Sequence, residues 1–196
     1  MPRPDVSAER KAQILQAAMQ VAARKGYATT RMDDVAREAG LSVGILYWYF
    51  KGKLDIALTL MDLFFAPDLE TLAKTLSTPG TCHDKLWTLF IQDFEQDANS
   101  LLLFLWAELY SLAAREPKVR KKLLSYLAEY RRLTTRLLTQ GIQSGELRAD
   151  LDPEVAANTL IVLFDGFMVN LAISPAADFR EKFRQSFDLL WMGLTR

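Results

Sequence analysis

The stretch Thr29–Lys53, TTRMDDVAREAGLSVGILYWYFKGK, decides how this chain reads. Thr30, with Asp33 three residues later, has the spacing of a capping box, in which a side-chain oxygen satisfies an orphan N–H at a helix start. Met32, Val35, Ala36 and Ala39 then make an apolar stripe at helical spacing. Gly40 stands where a helix ends in the left-handed conformation that glycine adopts at least cost. Two residues on, Ser42 is placed to cap a second helix from Val43 to about Tyr49. Two short helices joined by a glycine turn form a helix-turn-helix, whose second helix enters the DNA major groove.

These residues also resemble the DNA-binding signature of the tetracycline-repressor (TetR) family of bacterial regulators. The Thr pair, the Val35-Ala36 and Ala39-Gly40 step, the Leu46-Tyr47-x-Tyr49-Phe50 motif and the Lys beyond it carry the resemblance. It runs to about residue 60; past that point the likeness is architectural only. The resemblance implies an all-α fold in two parts. An N-terminal three-helix helix-turn-helix DNA-binding domain would span residues 1–52, and a C-terminal helical ligand-binding and dimerisation domain residues 53–196. It implies a ligand-responsive transcriptional regulator, by family default a repressor, that binds a palindromic operator as a homodimer and is released by a small molecule. Ile45 and Trp48 depart from the family pattern, which bears on the operator sequence and not on the fold.

The bulk composition fits a folded helical protein. Half of the 196 residues are hydrophobic, enough for a sizeable core, and the formal net charge is zero. The charge is unevenly spread: residues 1–55 hold nine Lys/Arg against six Asp/Glu, and the remainder fifteen against eighteen. A mildly basic module on a mildly acidic body suits a local DNA contact. The single cysteine, Cys82, excludes an intramolecular disulfide and a thiolate zinc cluster, and no cofactor or metal is expected. MPRPDVSAER lacks the apolar core of a signal peptide. The longest apolar run, residues 155–173, is interrupted by Asn158, Asp165 and Asn170 and reads as a buried helix, since a spanning helix needs about 20 predominantly apolar residues. A cytoplasmic protein without membrane attachment follows.

Nearly every segment has helical periodicity. The first helix is expected from near Ser7 to Lys25, with Gly26 as its stop. Lys51-Gly52 precedes a fourth helix, in which Pro67 predicts a kink or an end. Thr81 and Asp84 form a second capping box, opening a helix to about Asp97, and an Asn99-Ser100 break precedes Leu101–Ala114. Pro117 and Asp152-Pro153 mark further starts, of a long charged helix and of an apolar one. Ser174-Pro175 would start the last helix, giving about nine in all.

Phosphate contacts supply affinity to DNA, and base-edge contacts supply specificity. By resemblance, Thr29 or Thr30 brings a hydroxyl and an N–H to a phosphate, Tyr47 and Tyr49 offer phenols, and Lys53 places its ammonium on the next phosphate. Val43, Gly44, Ile45 and Trp48 remain for the groove floor, with Ser42 at its rim. Without an Arg or Gln to read guanine or adenine bidentately, this head predicts contacts to thymine methyls and shape readout. Leu46 and Phe50, four apart, are core.

In the body, Trp87, Phe90, Phe94, Phe104, Phe164 and Phe167 are the candidate lining of an apolar effector pocket. Glu108 and Asp165 sit among apolar helical neighbours. A lone buried carboxylate is costly, so each is expected to meet a cationic or hydrogen-bond-donating effector, or to pair with an Arg of the long charged helix. Aromatics at helical spacing are more often plain core than a pocket lining. The last two helices have more apolar surface than one core absorbs, which predicts a homodimer through them. Two other functions compete. Cys82 beside His83 would be a catalytic pair only with an orienting partner that the sequence does not supply, and no hydrolase, zinc or phosphate-loop motif is present, so the chain is not read as an enzyme. An all-helical protein-binding adaptor without DNA binding is the other; the Thr, Tyr and Lys set argues against it.

Overall fold

A computed structural model describes residues 6–95, 101–174 and 178–195, the side chains of Val6, 91–95 and 101–105 excepted. Among the described residues there are nine helices and no strand: α1 Val6–Lys25, α2 Met32–Ala39, α3 Val43–Tyr49, α4 Lys53–Thr75, α5 Cys82–Glu95, α6 Leu101–Ala113, α7 Pro117–Gln143, α8 Pro153–Ile173 and α9 Phe179–Thr195. The chain divides into two compact units. The first comprises the chain up to Phe64 with Phe104–Leu123, the second Phe65–Leu103 with Leu124–Arg196.

In the first unit, α1, α2 and α3 close over a core that includes Ile14, Ala18, Val35, Ala36, Leu46 and Phe50. The seven residues of α3 could not stay helical alone. Leu46 is its one fully buried side chain, and Phe50, the residue at its C-cap, is buried beside it. Burying each such side chain contributes about 1.5–3 kcal/mol. Salt bridges Arg24–Glu38 and Lys25–Asp34 tie α1 to α2, and the Gln13 amide donates to the Ala39 carbonyl at 2.6 Å.

The turn between α2 and α3 forms as its residues predict. Gly40 has φ 64°, Leu41 N–H donates to the Ala36 carbonyl at 2.9 Å, and Ser42 Oγ accepts from Ile45 N–H at 3.4 Å. The start of α2 differs from expectation by one residue. Arg31, not Thr30, is the N-cap, and Asp34, not Asp33, accepts its backbone N–H at 3.1 Å. The Thr30 hydroxyl turns back to the Gly26 carbonyl at 2.8 Å and is buried. A threonine can bond the preceding turn as readily as the following one, and the carbonyl left by the glycine stop of α1 takes it.

The second unit packs parts of α4 and α7 with α5, α8 and α9 around Leu72, Leu86, Leu137, Leu138, Leu160 and Phe187. Pro67 neither ends α4 nor begins a new helix; α4 continues to Thr75. Leu63 and Pro67 are both exposed, so the bond that proline cannot make is lost at a solvated turn. The Thr81 hydroxyl caps α5 as predicted, accepting Asp84 N–H at 3.0 Å. Glu146 completes that cap from the loop after α7, accepting Cys82 N–H at 2.6 Å and His83 N–H at 2.9 Å. Gly141 sits in close packing: a Cβ there would lie 2.9 Å from Leu147 and 3.1 Å from Cys82, so both would have to shift. Asp152 caps α8 with Pro153 in its first turn. Ser174 is the C-cap of α8 rather than the start of α9, and α9 is described from Phe179. Pro175 and the Asn99-Ser100 break lie outside the described residues.

The apolar helix α8 is not buried all round. Ala156, Ala157, Leu160, Met168 and Leu171 pack inward, while Val155, Val162, Val169 and Ile173 are exposed. By length and composition it could cross a membrane, but its inward face is an integral part of the second unit's core.

Candidate functional site

The exposed face of α3 is aromatic and aliphatic. Trp48 is 75% exposed, Tyr47 54% and Ile45 40%, and Ser42 and Gly44 are open to solvent. Leaving such groups in water is unfavourable, and here the inward positions are already taken by Leu46 and Phe50. Val43 and Tyr49 are half-buried against the core, and the Trp48 and Tyr49 rings meet edge to face at 4.6 Å. Ser42 is at the rim, its hydroxyl engaged in capping.

Beside α3 lies an open hollow lined by Ala28, Thr29, Thr30, Arg31, Met32, Asp33, Tyr47 and Lys53. It brings together four of the residues expected to contact phosphate, from the α1–α2 turn, α3 and α4. Three of them already hold backbone carbonyls of the chain itself. The Thr30 hydroxyl points inward, leaving its exposed neighbour Thr29 as the hydroxyl on this side. The Thr29 hydroxyl in turn donates to the Lys25 carbonyl. The Lys53 ammonium donates to the carbonyls of Tyr27 at 3.2 Å and Ala28 at 2.9 Å and lies 4.7 Å from the centre of the Tyr27 ring. An ammonium has three donors, so one remains for an incoming anion.

Tyr27 is the residue that sequence reasoning missed; nothing in the pattern around a tyrosine after a glycine stop marks it. Its carbonyl meets Lys53, and its N–H donates to Glu108 Oε2 at 3.4 Å. Burial, with the negative charge of Glu116 adding, pushes its phenol up to about 12.

The expected effector set is divided. Trp87, Phe90, Phe164 and Phe167 meet in the second unit, where they surround Phe183 at ring-centre distances of 5.1 to 6.2 Å. Phe90 stacks on Phe164 at 5.2 Å. Asp165, on α8, is half-buried. Glu108 belongs to the first unit. There it lines a small apolar cavity of about 30 Å³ with Ala18, Ala22, Tyr27, Lys53, Leu60 and Leu109. The side chains of Phe94 and Phe104 lie outside the described residues. His83 packs against the Trp191 ring at 5.0 Å, with its Nδ1 3.2 Å from Asp84 Oδ1. The neighbouring Cys82 is buried, and that burial, with Glu146 adding, pushes its thiol up to about 12. The two side chains serve different packing surfaces.

Residues 14–60 match the family of bacterial regulatory proteins of the tetR type, and residues 83–188 match the C-terminal domain of BetI-type transcriptional repressors. The chain belongs to the TetR family. Within it, the fatty acid metabolism regulator protein of Bacillus subtilis is 29% identical over 153 residues, covering 78% of each chain. The solved structure of the fatty acid degradation regulator FadR from Bacillus halodurans superposes with a TM-score of 0.83 at 25% identity, covering 94% of this chain and 96% of that one. FadR from Bacillus subtilis, solved in complex with stearoyl-CoA, gives 0.80 at 26%, covering 93% and 98%. This TetR-family chain is therefore an all-α, ligand-responsive DNA-binding transcriptional regulator.

Proposed function

We propose that the protein represses transcription by binding a near-palindromic operator as a homodimer, and that a small molecule with a long apolar part releases it. The observation that carries this reading is the exposed face of α3 beside the hollow where Thr29, Tyr47 and Lys53 converge. Val43, Gly44, Ile45 and Trp48 would face the base edges, with Ser42 at the rim and Thr29, the Thr30 backbone, Tyr47, Tyr49 and Lys53 toward the phosphates. The hollow holds the Lys53 ammonium and the Tyr47 phenol, donors of the kind a DNA backbone recruits, and the Thr29 hydroxyl would join them by turning its one proton from the Lys25 carbonyl to a phosphate. Functionally, residues 1–52 would read DNA and residues 53–196 would bind effector and partner, in the cytoplasm.

A second copy of the chain suits the exposed side of α8 and α9. Val155, Val162, Gly166, Val169 and Ile173 follow one another at steps of seven, four, three and four residues, a continuous helical stripe. Ile173 is 78% exposed, and Leu189 and Met192 present a similar face on α9. Nothing lies within 4 Å of a Cβ built on Gly166 or Gly193, so a partner helix could approach closely. A twofold pair would set two reading helices about one DNA turn apart.

For the effector, the aromatic cluster of Trp87, Phe90, Phe164 and Phe167, with Phe94 and Phe104 nearby in sequence and Asp165 as a polar member, favours an apolar body. The stearoyl-CoA bound by the Bacillus subtilis relative supports a long acyl chain. Helix α4 belongs to both units and would carry the change to the DNA module. An effector shifts the equilibrium only by its differential affinity for the two states. The test is operator affinity of wild type and of a Tyr47→Phe, Lys53→Met double variant. The variant is expected to lose binding on all sequences while remaining folded; undiminished affinity would overturn the assignment of the hollow to phosphate.

A further inference from the structure

The peptide that carries Tyr27 is held from two sides, and both holders come from helices remote in sequence. On one side Lys53, the first residue of α4, donates to the carbonyls of Tyr27 and Ala28 at 3.2 and 2.9 Å. On the other, Glu108 in the second half of α6 accepts the Tyr27 N–H at 3.4 Å. Gly26, at φ 80°, closes α1 immediately before this peptide, and a Cβ on it would lie 3.8 Å from Glu108 Oε1. The carboxylate therefore sits at the point where α1 stops. The residues directly after the pinned peptide, Thr29 to Arg31, line the hollow, as does Lys53 itself. Leu109 and Leu112, beside Glu108 on α6, line the apolar cavity under the same turn, so the carboxylate enters from a seated helix face.

We infer that Glu108 is a positioning residue for DNA binding: it fixes the α1–α2 turn, and through it the Thr29 and Lys53 groups offered to the phosphate. This inference rests on the assignment of the hollow to phosphate. It also gives Glu108 a task other than contacting an effector. Tyr27 and Glu108 both line the small apolar cavity, and Glu108 supplies the acceptor that the half-buried Tyr27 N–H needs. With the acceptor removed, the turn can relax, and the Lys53 ammonium, whose two carbonyl partners lie in that turn, moves with it. The geometry makes α6 a second handle on the phosphate seat, in addition to α4.

The experiment compares full-length wild type, Glu108→Ala and Glu108→Gln for operator affinity across a salt series, with near-ultraviolet circular dichroism and thermal melting as controls for folding. Glutamine keeps an acceptor oxygen at the same reach and removes only the charge. Glu108→Ala is expected to bind about tenfold more weakly, the worth of one ordinary hydrogen bond. Its log K against log salt slope should be shallower by about one phosphate contact. Glu108→Gln should restore most of the affinity and the wild-type slope. Wild-type affinity and slope in Glu108→Ala would overturn the inference. So would a Glu108→Gln variant as impaired as Glu108→Ala, which would make the charge and not the pinned turn responsible. If wild type itself shows no specific DNA binding, the phosphate reading of the hollow fails instead, and the two failures are distinguishable.

Discussion

Leu46 and Trp48 stand two residues apart on a seven-residue helix, and their replacement by alanine should have opposite consequences. Leu46 is fully buried in the core shared by α1, α2 and α3. Its truncation removes the one wholly inward side chain of α3 and should cost about 2–5 kcal/mol. For a module of this size that lowers the melting temperature by on the order of 10–40 °C. Trp48 is 75% exposed, so its truncation should change stability by no more than about 0.5 kcal/mol. On DNA the balance reverses. A tryptophan offers up to about 200 Å² for burial, of which roughly 150 Å² is free here. If the groove covers half of that, the loss at about 25 cal/mol per Å² is near 2 kcal/mol, about thirtyfold, for each head, and about 4 kcal/mol for a dimer seated on both half-sites. The assay is thermal melting of both variants with fluorescence anisotropy on the operator. The reasoning is refuted if Trp48→Ala binds like wild type, or if it melts as early as Leu46→Ala.

Three further outcomes follow. Val162→Glu places a charge in the exposed stripe of α8, and sedimentation velocity should show half the wild-type mass with near-ultraviolet dichroism retained; an unchanged mass would remove α8 from the dimer interface. In the folded protein the Lys25 hydrogen bond holds the Asp34 carboxyl below its ordinary value, and Arg24 does the same for Glu38. Groups lowered on folding add stability that is complete above the unfolded value of about 4 and is lost as pH falls through the folded one. Melting temperature should therefore drop more steeply below about pH 4 in wild type than in Asp34→Asn, and parallel curves would contradict the linkage. With its thiol raised to about 12, Cys82 should resist a disulfide reagent at pH 8 and react only on unfolding, so that labelling tracks denaturant; rapid labelling of the native protein would contradict its burial.

The DNA module was legible because its signals are local. The glycine at 40, the serine at 42 and the alternation of buried Leu46 with exposed Tyr47 and Trp48 depend on residues within one turn of each other. Thr30 shows where local reading stops: two carbonyl-and-amide partners competed for one hydroxyl, and the tertiary course of the chain after Gly26 decided between them. The Glu146 cap on α5 comes from over sixty residues away and has no local trace. Of the kink or end that Pro67 predicts, the end does not occur, because a helix can run through a proline where the freed carbonyl lies in solvent. In the body, helical spacing identified which side chains share a face but not which helix that face meets. Trp87, Phe90, Phe164 and Phe167 meet around Phe183 in the second unit, whereas Glu108, chosen for similar apolar surroundings, lies in the other unit beside Tyr27. The exposed stripe of α8 follows from a helix apolar on nearly all sides, since one unit can cover only one of them.

The most direct test of the central claim is footprinting of the purified protein on the DNA upstream of its own gene, across a salt series. The expected result is a protected near-palindrome with half-sites about one helical turn apart, and log K falling linearly with log salt. A folded protein that gives no specific protection on that or any other genomic fragment, at any salt, would contradict it.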